Sequence, residues 1–352
     1  MSHIRVLAAI ALLVQAGACT SAPRDAVAEV SVMTFNVENL FDVVDDPGKD
    51  DKAYLPIEMK RARAHVADCE AIEVPGWRKE CLNLDWNPEV LDAKLAAIAQ
   101  VIRQVQGGPD LIVFQEVEHA ALLDRLRTEQ LAELGYRPAI LLEGADERGI
   151  DVGFLSKLPA AGPPILHALG FPGFPEREAD TRGILEATFE LPDGTRLSAF
   201  AVHFPAPFHP SAMRERAYAQ LNELRSALPA DRPVIAAGDF NTTSTEAGRT
   251  GILDRLVRPG WIIAHESGCC DCRGTYYYAR DDNWSFLDMI LFSPARSANA
   301  TWSVRADSVR VANALPAQRS ADGTPARFAP EHGTGVSDHW PLVLRLQANQ
   351  KQ

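Results

Sequence analysis

The sequence lacks an excess of positive charge, a long apolar run and an internal repeat. It has 35 Lys and Arg against 47 Asp and Glu, and the formal net charge is -12. This balance argues against a protein that coats nucleic acid through a broad basic face, but not against an enzyme that meets phosphates through bound cations. The apolar run at residues 6–14 is too short to cross a bilayer core, and no later stretch approaches that length.

The composition is that of an ordinary globular protein. Hydrophobic residues make up 46% and charged residues 23% of the 352 positions, which argues against disordered, collagen-like and coiled-coil proteins. A chain of this length can bury an extensive core without a metal or disulfides as its main support. Length alone suggests about two domains.

The first 18 residues are predicted to be a signal peptide. Arg5 supplies a minimal positive segment, residues 6–14 are apolar, and Ala16-Gly17-Ala18 has the small-x-small pattern of a cleavage site. We therefore expect export to the periplasm, the exterior or the outer membrane. Cys19 follows directly, as in a bacterial lipoprotein, but Ala16 stands where such signals usually have Leu, so lipid anchoring and plain secretion both stay open.

The cysteines after Cys19 are expected to form disulfides, because the chain is predicted to enter an oxidising compartment. They are Cys69, Cys81, Cys269, Cys270 and Cys272. We expect a bridge between Cys69 and Cys81, and a second within residues 269–272 that leaves one thiol over. A zinc site is the weaker alternative, since three thiols within four residues lack the usual separated pairs.

Strand and helix patterns alternate along the chain. Apolar periodicity predicts helices over residues 91–105 and 213–228, the first capped by Asn87 and opened by Pro88, and another over 122–134. Strands are predicted at 29–36, 110–116, 152–155, 185–191, 197–203, 234–237, 287–292 and 342–346. Residues 42–51 and 162–175 are predicted loops. The pattern indicates a mixed α/β protein with many strands.

Polar side chains stand at the edges of the apolar strands. They are Asn36, Glu116, His203, Asp239 and the pair Asp338-His339. Strand ends in a layered α/β protein can aim side chains at a shared cleft. Such a site would span residues 36–339 and make residues 29–348 one domain, contrary to the expectation from length.

The two carboxylates at strand ends suit metal and water chemistry. Mg²⁺ needs only one or two carboxylates besides waters and phosphate oxygens, so Glu116 would suffice. Asp239 could take a proton from water and Asn241 could hydrogen-bond a phosphate. The alternatives are a solvated strand end for Glu116 and an Asx turn for Asp239 and Asn241.

A buried carboxylate in a predicted strand indicates a histidine partner. Asp288 lies within an apolar run, where an unpaired charge would be costly. A histidine oriented by an Asp, here His339, is a recurring catalytic arrangement; otherwise Asp288 only accepts backbone N–H groups. His203 could donate to a phosphate, and Arg148 could clamp one, although a surface salt bridge is an equal reading for Arg148.

The acidic loop is a candidate for a structural Ca²⁺ ion. Its carboxylates are Asp45, Asp46, Asp50 and Asp51. A merely solvated acidic loop is the alternative.

Six short segments together resemble the endonuclease/exonuclease/phosphatase superfamily, which has a deoxyribonuclease-like fold. They are Phe35-Asn36, Gln115-Glu116, Val202-His203, Gly238-Asp239-Phe240-Asn241, Phe286-Leu287-Asp288 and Ser337-Asp338-His339, in the family order. The segments 36–42 and 148–152 look like a bacterial exported, nuclease-like branch. In that branch the residue after Glu118 is typically Asn, whereas this chain has His119.

The resemblance implies a four-layer α/β sandwich, with two mostly antiparallel sheets packed face to face and helices outside. By the same likeness Glu116, Asn36 and Asp338 would hold Mg²⁺ or Mn²⁺. Asp239 would orient or deprotonate water, Asn241 would contact the phosphate, and His339 paired with Asp288 would stabilise the pentacovalent oxygens or act as acid or base. His203 matches a histidine of deoxyribonucleases and sphingomyelinases, which favours a phosphodiester substrate.

The implied function is an exported, metal-dependent phosphodiesterase, with a nuclease acting on DNA or RNA as the leading hypothesis. The alternative is a phosphatase or phospholipase-type hydrolase of lipid or inositol phosphates, for which Tyr276-Tyr277-Tyr278 is a candidate membrane contact or simply a packed strand. A non-catalytic binding module would be expected to have lost some site residues, and none is missing. We infer no obligate protein partner and expect a monomer.

Overall fold

A computed structural model describes residues 27–177, 180–296 and 301–349. The predicted signal peptide and Cys19 lie outside the described residues. None of the helices in the described ranges combines the length and the apolar character needed to cross a membrane.

The described residues form fourteen strands and eight α-helices, besides a few short 3₁₀ and π turns. The strands are β1 (Glu29–Leu40), β2 (Leu111–Val117), β3 (Ile140–Leu141), β4 (Asp151–Ser156), β5 (Ile165–His167), β6 (Ile184–Glu190), β7 (Arg196–His203), β8 (Val234–Asp239), β9 (Ile262–Ile263), β10 (Tyr276–Tyr278), β11 (Asn283–Ser285), β12 (Asp288–Ser293), β13 (Trp302–Val311) and β14 (Leu342–Ala348). The helices are α1 (Arg63–Glu70), α2 (Pro75–Asn83), α3 (Pro88–Arg103), α4 (Ala120–Arg125), α5 (Ser211–Ala227), α6 (Ser244–Thr250), α7 (Ile252–Leu256) and α8 (Ala264–Gly268).

The strands form two six-stranded sheets and a separate β10–β11 hairpin. The first sheet has the order β13-β14-β1-β2-β4-β3, and the second β5-β6-β7-β8-β12-β9. Within each sheet one central pair is parallel, β1 with β2 and β7 with β8. The other described pairs in the two sheets are antiparallel, so the prediction of mostly antiparallel sheets is confirmed.

Strand periodicity explains the layers. In β7, Ala199 and Ala201 pack in the core between the sheets, whereas Phe200 and Val202 point to the opposite face, because successive side chains alternate. One outer core lies between the first sheet and α3, and the other between the second sheet and α5. The molecule is therefore an α/β sandwich with helices on both outer faces, as expected from the resemblance.

Two of the predicted helices are confirmed, and the third is interrupted. The Asn87 side chain accepts the N–H of Val90 at 3.0 Å and caps α3. The helix expected over residues 122–134 ends as an α-helix at Arg125 and continues as a π-turn and a 3₁₀ turn. Thr128 there donates its hydroxyl to the carbonyl of Asp124 at 2.7 Å, a bond that competes with regular helical pairing.

Several short elements escaped prediction. The predicted loop 162–175 contains β5, which pairs with β6 at the sheet edge. The strands β11 and β13 were also missed, because neither has a clear apolar alternation. The packed strand considered for Tyr276-Tyr277-Tyr278 is present as β10, which pairs with β11.

Two disulfides match the expected pairing. Cys69 is bonded to Cys81 between α1 and α2, and Cys269 to Cys272 after α8, while Cys270 is free and exposed. Because these four cysteines form two disulfides, their sulfurs cannot bind zinc as thiolates. The zinc alternative is therefore wrong for these four cysteines.

Candidate active site

The predicted polar residues meet at one end of the sandwich. In the first sheet Asn36 on β1 lies opposite Gln115 on β2, next to Glu116. In the second sheet His203, Asp239 and Asp288 are direct neighbours across β7, β8 and β12. The ends of central strands from both sheets therefore supply one site.

Irregular backbone aims two of these side chains. Glu116 has φ of 62°, and the register between β2 and its neighbours shifts at this residue, so it forms a bulge. Its Oε2 accepts the N–H of Asn39 at 3.0 Å. Asn241 has φ of 51°, and its N–H donates to Asp239 Oδ1 at 2.8 Å. The expected Asx turn is thus present, and it fixes the carboxylate within the site.

An amide and an imidazole bridge the two carboxylates. Asn36 Nδ2 donates to Glu116 Oε1 at 3.3 Å and to Asp239 Oδ2 at 3.2 Å. His203 Nε2 lies 3.8 Å from Glu116 Oε1 and 3.6 Å from Asp239 Oδ2. Burial, together with the charges of Arg182 and Arg148, holds the pKa of His203 well below its ordinary value, so this ring is neutral.

The partner expected for Asp288 is present. His339 Nδ1 donates to Asp288 Oδ2 at 2.7 Å, and both side chains are buried. The His339 N–H donates to Ser337 Oγ at 3.0 Å, and that hydroxyl donates to the carbonyl of Asn36 at 2.8 Å. The backbone of β1 therefore sets the position of His339.

The charge states of His339 and Asp239 follow from their neighbours. Burial alone would lower the pKa of His339. The charge and hydrogen bond of Asp288, together with the charges of Asp338 and Asp239, outweigh burial and raise the pKa of His339 well above its ordinary value. Burial, reinforced by the nearby Asp288 and Glu116, raises the pKa of Asp239 to about 7, although His339 opposes this. A largely buried imidazolium thus faces a carboxyl group that titrates near neutrality.

The sequence matches a family model described as the endonuclease/exonuclease/phosphatase family over residues 33–339. The chain belongs to the endonuclease/exonuclease/phosphatase family. Its members are metal-dependent phosphoric ester hydrolases. No curated protein gives a significant sequence match.

Solved structures of the family share the fold. A family protein from Bacteroides thetaiotaomicron is 17% identical, with a TM-score of 0.56 over 92% of this chain and 99% of that chain. One from Beutenbergia cavernae is 17% identical, with a TM-score of 0.54 over 92% of this chain and 72% of that chain. D. rerio TDP2, complexed with a single-strand DNA product, is 16% identical, with a TM-score of 0.52 over 90% of this chain and 98% of that chain.

The donor set fits the divalent metal that family members use. Glu116 and Asp239 both accept a hydrogen bond from Asn36 Nδ2, so their carboxylate oxygens lie close together, and Asn36 Oδ1 accepts the N–H of Glu38 at 3.0 Å. Hard oxygen ligands of this kind suit Mg²⁺ or Mn²⁺. Asp338 lies beside the imidazole of His339, and its Oδ1 is 3.8 Å from His339 Nε2.

Sequence reasoning missed a buried carboxylate in this family site. Glu38 Oε1 pairs with Arg327 Nε at 2.6 Å, and its Oε2 accepts the N–H of Asp338 at 3.0 Å. Arg327 also binds Asp338 Oδ2 at 2.9 Å. Burial, with the charge of Asp338, raises the pKa of Glu38 to about 7. The available signal was its place two residues after Asn36, in the same strand β1.

The site opens into a large cleft. Its volume is about 1600 Å³, and its walls include Arg148 and Arg182 as well as the residues described above. Arg148 is exposed and makes no ion pair with any described residue, so the surface salt bridge considered as its alternative role is absent there. Arg182 Nε instead lies 3.1 Å from Asp146 Oδ2. Asn241 lines the cleft, and its Nδ2 donates to the carbonyl of Phe204 at 3.0 Å.

The predicted Ca²⁺ ligands do not meet as a group of four. Asp45 is exposed, and Asp50 pairs with Lys52 at 3.1 Å on the surface. Asp46 and Asp51 do approach each other, in a different set of side chains.

Proposed function

We propose that this protein is an exported, divalent-metal-dependent phosphodiesterase, and specifically a nuclease that hydrolyses DNA or RNA. The observation that carries the proposal is the convergence of Glu116, Asp239 and His203 with the Asp288-paired His339 at one end of the sandwich. Carboxylates, a neutral imidazole and an imidazolium at this spacing can serve both the nucleophile and the developing charge of phosphate hydrolysis.

Asp239 is the group that takes the proton of the attacking water. Its carboxyl group titrates near neutrality because it is buried, so it can accept a proton in the range where the enzyme would work. The N–H of Asn241 and the amide of Asn36 fix its two oxygens. Such fixed geometry reduces the reorganisation needed at the moment of attack.

His339 stabilises the oxygens of the pentacovalent phosphorus. Its proton on Nδ1 is held by Asp288, which leaves the Nε2 proton for the substrate side, where Nε2 lies 3.9 Å from Asp239 Oδ2. His203 and Asn241 line the same cleft and can donate to phosphate oxygens, and Arg148 can clamp a phosphate from the rim.

Glu116, Asn36 and Asp338 are the proposed ligands of a Mg²⁺ or Mn²⁺ ion. A divalent ion held there supplies positive charge against the phosphate oxygens. Glu38 and Arg327 hold Asp338 in place beside this position.

Exposed aromatic rings on the cleft wall favour a polynucleotide over a small monoester. Phe208 is 76% exposed, Trp77 60% and Tyr278 44%, and all three line the cleft. Aromatic faces beside a charged groove are a sequence-tolerant way to stack bases of a single strand. D. rerio TDP2, which shares the fold, was solved with a single-strand DNA product.

A hydrolase of lipid or inositol phosphates is the second candidate, because the β10–β11 hairpin beside the site carries the exposed Tyr278. The hairpin is also packed: Tyr276 pairs with His339 in a β-bridge, with ring centroids 4.8 Å apart.

Export and domain organisation are part of the proposal. Two disulfides support an oxidising compartment. We propose a signal peptide at residues 1–18 and one catalytic domain at 29–348, acting as a monomer. The mass of the mature N-terminus will distinguish a lipidated Cys19 from plain cleavage.

A substrate panel tests the activity. Plasmid DNA, RNA, sphingomyelin, an inositol phosphate and bis-p-nitrophenyl phosphate are incubated with the purified protein and Mg²⁺. We expect cleavage of nucleic acid and of the synthetic diester, loss of activity with EDTA, recovery with Mg²⁺ or Mn²⁺, and no activity in His339→Ala. Turnover of sphingomyelin or the inositol phosphate alone would favour the second candidate, and undiminished turnover by His339→Ala would remove His339 from the mechanism.

A further inference from the structure

A second acidic cluster lies beside the cleft, between the loop after β1 and the end of β2. One ligand atom from each of Asp46, Asp51 and Glu118 lies within 4.8 Å of the other two, and the same is true of Asp42, Glu118 and His119. Glu118 belongs to both groups. Four side chains therefore lie around the buried carboxylate of Glu118.

The cluster contains an unsatisfied buried oxygen. Asp51 is 2% exposed, and its Oδ1 is buried without a hydrogen-bond partner among the described residues, whereas its Oδ2 accepts the N–H of Asp46 at 2.9 Å. Glu118 is also buried, and its Oε2 accepts the N–H of Asp42 at 2.6 Å. A buried carboxylate oxygen without a donor or cation is costly, so the arrangement lacks a positive partner.

No lysine or arginine of the described chain supplies that charge. His119 Nε2 lies 3.2 Å from Asp42 Oδ2 and 3.6 Å from Glu118 Oε2, and Asp46 and Asp51 have no described ion pair. The lysines of the same loop point elsewhere, Lys49 to the carbonyl of Asp146 at 2.8 Å and Lys52 to Asp50.

We propose that Asp46, Asp51 and Glu118, together with Asp42, bind a structural Ca²⁺ ion. Oxygens bound to one Ca²⁺ at about 2.4 Å lie at most about 4.8 Å apart, a condition that Asp46, Asp51 and Glu118 meet as a group and that Asp42 meets with Glu118. Ca²⁺ accepts six to eight oxygens in a flexible geometry, as a loop rich in carboxylates provides. Zn²⁺ would prefer nitrogen or sulfur ligands, and His119 is the sole such donor in the described cluster.

The ion would support the phosphate-binding rim of the cleft. Asp50, next to Asp51, donates its N–H to the carbonyl of Glu147 at 2.7 Å, and Lys49 donates to the neighbouring carbonyl of Asp146. Arg148 follows directly on this second loop. Fixing the loop 42–51 thus fixes the segment that presents Arg148 to substrate.

The site is distinct from the catalytic metal position. Glu118 faces the loop after β1, whereas Glu116 faces Asn36 and the N–H of Asn39. The two sites can therefore be removed separately by substitution.

Calcium titration of the purified full chain, stripped with EDTA, tests the proposal. Calorimetry and thermal melting with CaCl₂ alone are compared for wild type, Asp51→Asn, Asp46→Asn and the catalytic-site control Glu116→Gln. We expect wild type and Glu116→Gln to bind one Ca²⁺ and to melt roughly 4 °C higher in its presence. The two Asp variants should bind it roughly tenfold or more weakly.

A kinetic readout completes the test. With saturating Mg²⁺, removal of Ca²⁺ should raise KM for bis-p-nitrophenyl phosphate and leave kcat nearly unchanged, because Arg148 contacts substrate rather than the reacting atoms. Ca²⁺ binding that survives in both Asp variants, or that is lost only in Glu116→Gln, would overturn the site. A melting response to Zn²⁺ or Mn²⁺ but not Ca²⁺ would overturn the choice of ion. Calcium binding and melting are measured without substrate. A negative result in these two measurements would therefore overturn the Ca²⁺ site without contradicting the proposed hydrolase activity.

Discussion

The replacement Asp288→Asn tests whether a protonated His339 drives the reaction. The two side chains form a buried pair in which His339 Nδ1 donates to Asp288 Oδ2 at 2.7 Å. Asparagine has nearly the same shape as aspartate but no charge. The replacement therefore removes the main group that stabilises the imidazolium while it preserves the packing of β12.

The expected size of the effect follows from this hydrogen bond. A hydrogen bond to a charged group contributes about 1.5–3 kcal/mol. One pKa unit corresponds to about 1.4 kcal/mol, so the variant should lower the pKa of His339 by roughly one to two units. Activity that needs the imidazolium is lost as pH rises through this pKa, so the alkaline limb of the rate profile should move to lower pH by the same interval. Above that pH, loss of this charged donor to the phosphorus oxygens should lower kcat by about 10² to 10³.

The assay is the pH dependence of kcat for bis-p-nitrophenyl phosphate at a fixed, saturating concentration of Mg²⁺. Asp110→Asn is the matched control, because Asp110 also accepts hydrogen bonds, from the N–H and hydroxyl of Ser31 at 2.7 Å each, but lies at the opposite end of β2 from Glu116. Circular dichroism confirms that each variant is folded. An alkaline limb at the same pH in wild type and Asp288→Asn would refute the assignment of His339 as the protonated group.

Three further predictions address the rim, the aromatic wall and the buried carboxyl groups. Arg148→Ala should raise KM for a diester by roughly tenfold with a smaller change in kcat, whereas Arg196→Ala, at the far end of β7, should change neither; an equal fall in kcat would contradict this. Phe208→Ala should weaken binding of a single-stranded oligonucleotide by about 1–3 kcal/mol in fluorescence anisotropy and leave kcat for the small diester unchanged; unaltered binding would exclude stacking there. Burial raises the pKa of Asp239 to about 7 and that of Glu118 to about 8, above the ordinary values of 3.8 and 4.5. The folded protein then keeps protons that the unfolded chain releases, so the metal-free melting temperature should fall as pH rises through this range, less steeply in Glu118→Gln; a parallel fall in wild type and variant would contradict the assignment to Glu118.

The central strands and the pairing of Asp288 with a distant side chain were predictable, because apolar patterning predicts the strands and a buried carboxylate requires a partner. The run 287–292 is apolar except for Asp288, and burying that carboxylate requires a partner. The structure supplies it in His339, 51 positions away. The cap of α3 was predictable for a similar reason, since Asn87 and Pro88 satisfy the needs of a helix start.

The parts that escaped prediction depend on contacts between distant segments. Glu38 is an unremarkable acidic residue in the sequence, and its importance appears only when Arg327 and Asp338 pack against it. In the acidic loop, composition suggested Asp45, Asp46, Asp50 and Asp51 as cation ligands, whereas the structure groups Asp46 and Asp51 with Glu118, which follows β2. Composition alone cannot show which aspartates of this loop lie close to Glu118 in the folded protein.

A net charge of -12 and a polyanionic substrate are compatible if the cleft relies on bound cations. Most basic side chains that line the cleft are paired with carboxylates: Lys52, Arg177, Arg182, Arg327 and His339. Among the described residues of the lining, Arg148 and the buried Lys94 have no carboxylate partner. The cleft has a volume of about 1600 Å³ and could hold several nucleotides of a strand. Two positive side chains are too few to balance the phosphates of such a strand. Divalent ions at the catalytic position, and near Arg148 through the acidic loop, would reverse that balance. Substrate affinity should therefore depend on divalent cations at more than the catalytic step, and the negative surface elsewhere would direct the strand into the cleft.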